Sequence, residues 1–86
     1  MSKRGNDLLE AMRLSQSNWT RHDLENLYLD FGFRIRKGKH DIAIHNKYAE
    51  LRNTLPNHKF FAKGYIISAI KLIEKLRQLE LRGKNE

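Results

Sequence analysis

The stretch FRIRKGKHDIAIHN, residues 33–46, decides the fold. Its first four residues alternate. Phe33 and Ile35 fall on one side and Arg34 and Arg36 on the other, the period-two pattern of a half-buried strand. Lys37-Gly38-Lys39 supplies a tight turn. Beyond it, His40, Ile42 and Ile44 share one side, and Asp41, Ala43 and His45 share the other. The pattern predicts an antiparallel hairpin. With Phe33 and Ile35 turned inward, Arg34 and Arg36 are turned out. His40 sits just past the turn, either as a chemical group or as one polar residue on a solvated hairpin.

The flanks give the hairpin its partners. Upstream, Thr20 followed by Asp23 resembles a capping box with Asp in place of Glu. Leu24, Leu27, Tyr28 and Phe31 then follow i, i+3, i+4, i+7 spacing, which predicts an amphipathic helix ended by Gly32. Trp19, just ahead of the cap, reads as core. Further upstream, Asn6 is expected to cap a short helix over 7–14, with Leu8, Leu9 and Met12 on one face, and the polar 15–18 breaks it. Downstream, residues 46–50 are a connection, and 51–55 (LRNTL) is a third short strand stopped by Pro56. A long helix is expected over 64–80. Its stripe is Ile66, Ile70, Ile73 and Leu76, broadened by Ile67, Ala69 and Leu72. The order helix, helix, three strands, helix predicts a single α+β domain over 1–86, with 1–5 and 82–86 frayed. A three-stranded antiparallel sheet would carry both long helices on one face and expose the other.

Composition narrows the function classes. An 86-residue chain suits one small domain. There is no cysteine, which excludes disulfides and thiolate metal sites. No apolar run approaches the roughly 20 residues of a membrane span, and MSKRGND has no apolar signal segment, so a cytoplasmic protein with no membrane partner is expected. Net charge is +7, unevenly spread. Residues 1–32 hold four basic and five acidic side chains, 33–65 eight and two, and 66–86 five and three. A positive middle third attracts a polyanion, most often nucleic acid; the plainer reading is a solvated basic face.

Several chemistries fall away. No glycine-rich phosphate loop is present, and no carboxylate cluster suggests a two-metal nuclease. His40 and His45 point to opposite sides of a strand and cannot share a metal. The acidic residues concentrate on the N-terminal helices, so an enzyme of this sequence would work with histidine and cations, without metal or cofactor. RNA phosphodiester cleavage needs a base for the 2′-hydroxyl proton, an acid for the leaving oxygen, and cations for the developing charge. Histidine suits the first two tasks, lysine and arginine the third. His58, in LPNHK, is either a second proton-transfer group or an ordinary loop residue. Lys59 and Lys63 lie beside the start of the last helix, where phosphate is favoured. Of Phe60, Phe61 and Tyr65, at least one reads as core, with base stacking as the alternative.

Read together, DFGFRIRKGKHDIAIHN and NTLPNHKFFAKGYIISAI resemble the HicA family of toxins from bacterial toxin–antitoxin systems. The family's G-F helix end, G-S-H turn, proline–histidine segment and K-G helix opening correspond to Gly32-Phe33, Gly38-Lys39-His40, Leu55-Pro56-Asn57-His58 and Lys63-Gly64. The leading DLLEAMRLSQSN also looks like an extension found in one branch, so the resemblance spans about residues 7–80. Two positions depart from the pattern. Lys39 replaces a small hydroxyl residue, and Asp41 stands where a second histidine is frequent. The resemblance implies a fold like double-stranded RNA-binding domains, mRNA endoribonuclease activity with His40 as the catalytic residue, and a HicB-like antitoxin that forms a hetero-oligomer and masks the site. Candidate RNA- and phosphate-binding residues are Arg34, Arg36, Lys37, Gly38, Lys39, His58, Lys59 and Lys63. The alternatives are a non-catalytic RNA-binding module of the same fold and a protein whose basic face docks an acidic partner.

Overall fold

The computed structural model describes residues 3–56 and 61–85. Three helices, α1 (Lys3–Leu14), α2 (Arg21–Asp30) and α3 (Lys63–Asn85), enclose one side of an open sheet of β1 (Phe33–Arg36), β2 (Ile42–His45) and β3 (Arg52–Thr54). The strands lie in chain order and are antiparallel throughout.

Register assigns the two faces. Phe33 pairs with His45, Ile35 with Ala43, and Ala43 in turn with Asn53, so these residues share the helix-covered side. Arg34, Ile44 and Arg52 form one row on the open side, and Arg36, Ile42 and Thr54 the next. Arg34 and Arg36 therefore face outward, as the alternation predicts. On β2 the core takes Ala43 and His45, while the two isoleucines go to the open face. Ile44 is only 3% exposed there. The register sets it between the long aliphatic stems of Arg34 and Arg52, which can cover apolar surface while their heads stay in water.

Both long helices lie on the same sheet face. The Tyr28 and Phe33 rings meet at 5.1 Å, joining α2 to β1, and Asn53 donates to Ser68 Oγ at 3.2 Å, joining β3 to α3. Leu24, Leu27, Tyr28 and Phe31 of the α2 region are buried, with Ile66, Ala69, Ile73 and Leu76 of α3. Leu9 and Met12 of α1 join the same core at 0% exposure. The capping box at α2 is complete. Thr20 Oγ1 accepts from Asp23 N at 3.2 Å, and Asp23 Oδ2 accepts from Thr20 N at 3.0 Å. Trp19 packs on the core and donates from Nε1 to Ser15 O at 2.7 Å.

Both outer helices are longer than the sequence pattern predicts. Helix α1 begins at Lys3, so Asn6 lies within it and caps nothing; its Oδ1 accepts from Arg77 of α3. Gly5, in its first turn, is buried. Helix α3 continues to Asn85 instead of ending near 80. Arg82, near its end, suits the negative end of the helix dipole.

His45 ties the hairpin to α2. Its Nδ1 accepts from Lys47 N and Tyr48 N, each at 3.1 Å, which leaves Nε2 as the protonated nitrogen donating to Phe31 O at 3.1 Å. The ring is 7% exposed and meets Phe33 edge-on at 4.9 Å. Gly32 makes room for it. Its φ is +88°, and a Cβ there would stand 3.1 Å from His45 Nε2.

Candidate functional site

The turn that carries His40, residues 37–41, is held by Asp41. Asp41 Oδ1 accepts from Gly38 N at 3.2 Å and closes the turn, while its carbonyl accepts from Leu55 N at 2.8 Å. Its Oδ2 accepts from Arg21 at 2.7 Å, in a pair whose side chains are 15% and 20% exposed. Arg21 also donates to Glu25 at 3.0 Å, and Lys37 Nζ stands 3.7 Å from both Glu25 and Asp41. The Arg21 hydrogen bond, then the Gly38 N–H and the nearby positive charges, hold the Asp41 carboxyl below its usual range. The expected separation of acids from the basic centre is therefore corrected. The start of α2 brings Glu25 against the hairpin, and Lys37 shares its charge with two carboxylates.

His40 is exposed and lines a cleft of about 520 Å³ between this turn, the end of β3 and the start of α3. Lys39 and Gly38 line it beside His40, with Arg21 and Asp41, and Thr54, Leu55, Pro56 and Tyr65 complete it. Neither His40 nor Lys39 makes a side-chain hydrogen bond or ion pair with another described residue. An imidazole and an ammonium from adjacent residues thus line one polar cleft, which fits proton transfer next to a bound phosphate.

The other expected site residues divide. Arg34 and Arg36 lie on the open sheet face, where Arg52 joins them. Arg34 donates to Asn46 Oδ1 at 3.3 Å and Arg52 to Ala49 O at 3.0 Å; none of the three pairs with a carboxylate among the described residues. Lys63 is the first residue of α3 and lines a different groove with residues 14–18 and Phe61, away from His40. His58, Lys59 and Phe60 lie outside the described residues. Phe61 is core at 4% exposure, whereas Tyr65 is 38% exposed at the cleft wall.

Comparison with known proteins finds no matching family model, curated protein or solved structure. Chemistry at the site is therefore read from its residues. Among the described residues no group of His, Asp and Glu is placed to hold a metal ion, and no helix is long and apolar enough to cross a membrane. Sequence reading missed Arg21 and Arg52. Arg21 is 20 positions from Asp41 and on another element; its one trace in sequence is an acidic residue set in an otherwise basic turn.

Proposed function

We propose that this chain is a cytoplasmic toxin of the HicA kind, with a fold like double-stranded RNA-binding domains, that cleaves mRNA and is restrained by a HicB-like antitoxin. One observation carries the reading. His40 and Lys39 stand unengaged with other described residues at the rim of a cleft, next to a sheet face bearing Arg34, Arg36 and Arg52. The arginine face would hold the RNA backbone, and Lys39 the phosphate at the cleft. His40 would act as general base on the 2′-hydroxyl or as general acid on the departing 5′-oxygen. Attack of that 2′-oxygen on phosphorus breaks the bond to the 5′-oxygen and leaves a 2′,3′-cyclic phosphate. No metal or cofactor takes part in this transesterification.

The test is His40→Ala. Cleavage and toxicity should disappear while the fold and RNA affinity persist; cleavage at the wild-type rate would overturn the assignment. The second reading is a non-catalytic RNA-binding module. It is favoured by the absence, among the described residues, of any hydrogen bond that orients the His40 ring. Salt-dependent RNA binding without cleavage by the wild-type chain would select it.

A further inference from the structure

The open face of the sheet and the His40 cleft share a residue. Register puts Arg34, Ile44 and Arg52 in one row across the face, and Arg36, Ile42 and Thr54 in the next, beside the turn. Thr54 also lines the cleft, so the face continues into it.

The cations of this face differ from that of the turn. Lys37 stands 3.7 Å from both Glu25 and Asp41. Arg34, Arg36 and Arg52 are exposed, and no described carboxylate is within ion-pair distance of any of them. Arg34 uses one N–H on Asn46 Oδ1 and Arg52 its Nε on Ala49 O. A guanidinium has five N–H groups, so most remain for a ligand. Neither row contains an aromatic ring or a carboxylate. The face therefore offers cations to phosphate and no platform to a base.

Spacing gives the ligand its shape. Rows on one face of a sheet are two residues apart, about 7 Å, close to the step between successive phosphates of an extended strand. The outer strands are about 10 Å apart, so Arg34 and Arg52 can approach one phosphate from both sides over Ile44. That width suits a single sugar–phosphate backbone and is much less than a duplex. The chemistry at His40 asks for the same form. The attacking 2′-oxygen must come in line with the departing 5′-oxygen, an alignment that a regular RNA helix does not provide.

We infer that the open face is a track for one RNA strand. Arg34 and Arg52 hold one phosphate, Arg36 and the Thr54 hydroxyl hold the next, and the strand then enters the cleft with its scissile phosphate at Lys39 and His40. The inference rests on the RNA reading above and adds to it strandedness and a reach of two phosphates on one side of the cleaved bond.

Short RNAs test it. A 2′-O-methyl octanucleotide cannot be cleaved, and its binding is read by fluorescence anisotropy at low salt. The wild-type chain should bind the single strand at least about tenfold more tightly than the blunt duplex made with its complement. Arg34→Gln, Arg36→Gln and Arg52→Gln should each weaken the single strand by about two- to fivefold, the scale of one exposed ion pair, and lower the salt slope by about 0.7. Glutamine keeps part of each stem, so Ile44 stays covered. Lys71→Gln removes an exposed charge from α3, across the sheet, and should change neither quantity. With cleavable RNA, the arginine variants should slow an octanucleotide and leave a dinucleotide, which offers only the scissile phosphate, at the wild-type rate. A duplex bound as tightly as the single strand, an equal loss in Lys71→Gln, or equal slowing of the dinucleotide would each overturn the track. So would a glutamate octapeptide that binds as tightly as the RNA, which would give the face to an acidic partner. The catalytic reading fails separately. Arginine-dependent binding of single strands by a chain that cleaves no RNA removes only the catalysis, whereas cleavage and binding indifferent to the three arginines remove only the track.

Discussion

Replacing Gly32 by alanine tests the account of the hairpin's attachment to α2. Two costs arise at that position. A φ of +88° is disfavoured for any residue with a Cβ, by about 1–2 kcal/mol. The new methyl would also meet His45 Nε2 at 3.1 Å, so the ring must shift and weaken its bond to Phe31 O, worth about 0.5–1.5 kcal/mol. Alanine lowers the entropy of the unfolded chain and returns about 0.4–1 kcal/mol. The net loss is then roughly 0.5–3 kcal/mol, and at about 4–8 °C per kcal/mol for a domain of this size the midpoint should fall by roughly 2–25 °C. Gly38→Ala is the control. Gly38 does not have positive φ, and the nearest atom to its added Cβ is 4.0 Å away, so its effect should stay within about 0.5 kcal/mol. Thermal and urea denaturation of the two variants give the comparison directly. If Gly32→Ala is no less stable than Gly38→Ala, the role assigned to Gly32 and His45 is wrong.

Other consequences can be measured independently. The Asp41 carboxyl is held low in the folded state, so its contribution is fully present above the ordinary carboxylate value of about 3.9 and is lost as pH falls through the lower folded value. The stability gap between wild type and Asp41→Asn, followed by urea titration, should accordingly narrow below about pH 4; a gap independent of pH would remove the Arg21–Asp41 pair from the explanation. Leu9→Ala should cost about 2–5 kcal/mol if α1 belongs to the core, whereas a detachable helix would leave the midpoint unchanged. Thr20→Ala should cost about 1 kcal/mol through loss of the cap, seen as faster hydrogen exchange in the first turn of α2. Arg36→Gln should reduce the slope of log affinity for RNA against log salt by about 0.7–0.9; an unchanged slope places Arg36 outside the RNA contact.

What sequence reading recovered is local. The Thr20–Asp23 cap, the stop at Gly32, the outward Arg34 and Arg36, and the α3 stripe all depend on neighbours within one turn or one strand. Where it fell short, distant residues decide. The two isoleucines of β2 are more apolar than Ala43, yet pairing with Ile35 sends Ala43 to the core, as pairing with Phe33 sends His45. Asn6 fits a cap by type, but the Arg77 guanidinium, 71 positions away, takes its oxygen. Two of the three His45 bonds are local, from Lys47 N and Tyr48 N, but Phe31 O becomes its third partner only once the hairpin folds back on α2. At the candidate site, His40 and Lys39 were legible from the turn. Arg21 was not, and elsewhere neither were the bonds from Asn53 to Tyr28 and Ser68, which join three elements.

The contact between α1 and α3 has a bearing on how the chain folds during synthesis. Leu9 and Met12 share one buried cluster with Ile73 and Leu76, and Asn6 accepts from Arg77, so α1 is completed by residues that emerge some sixty positions later. Until then the first helix leaves the ribosome with an unsatisfied apolar face, although α2 and the three strands are already available to condense. The last helix would therefore close the domain in one late step, and a chain halted before it would present Leu9 and Met12 as a sticky surface rather than a finished fold.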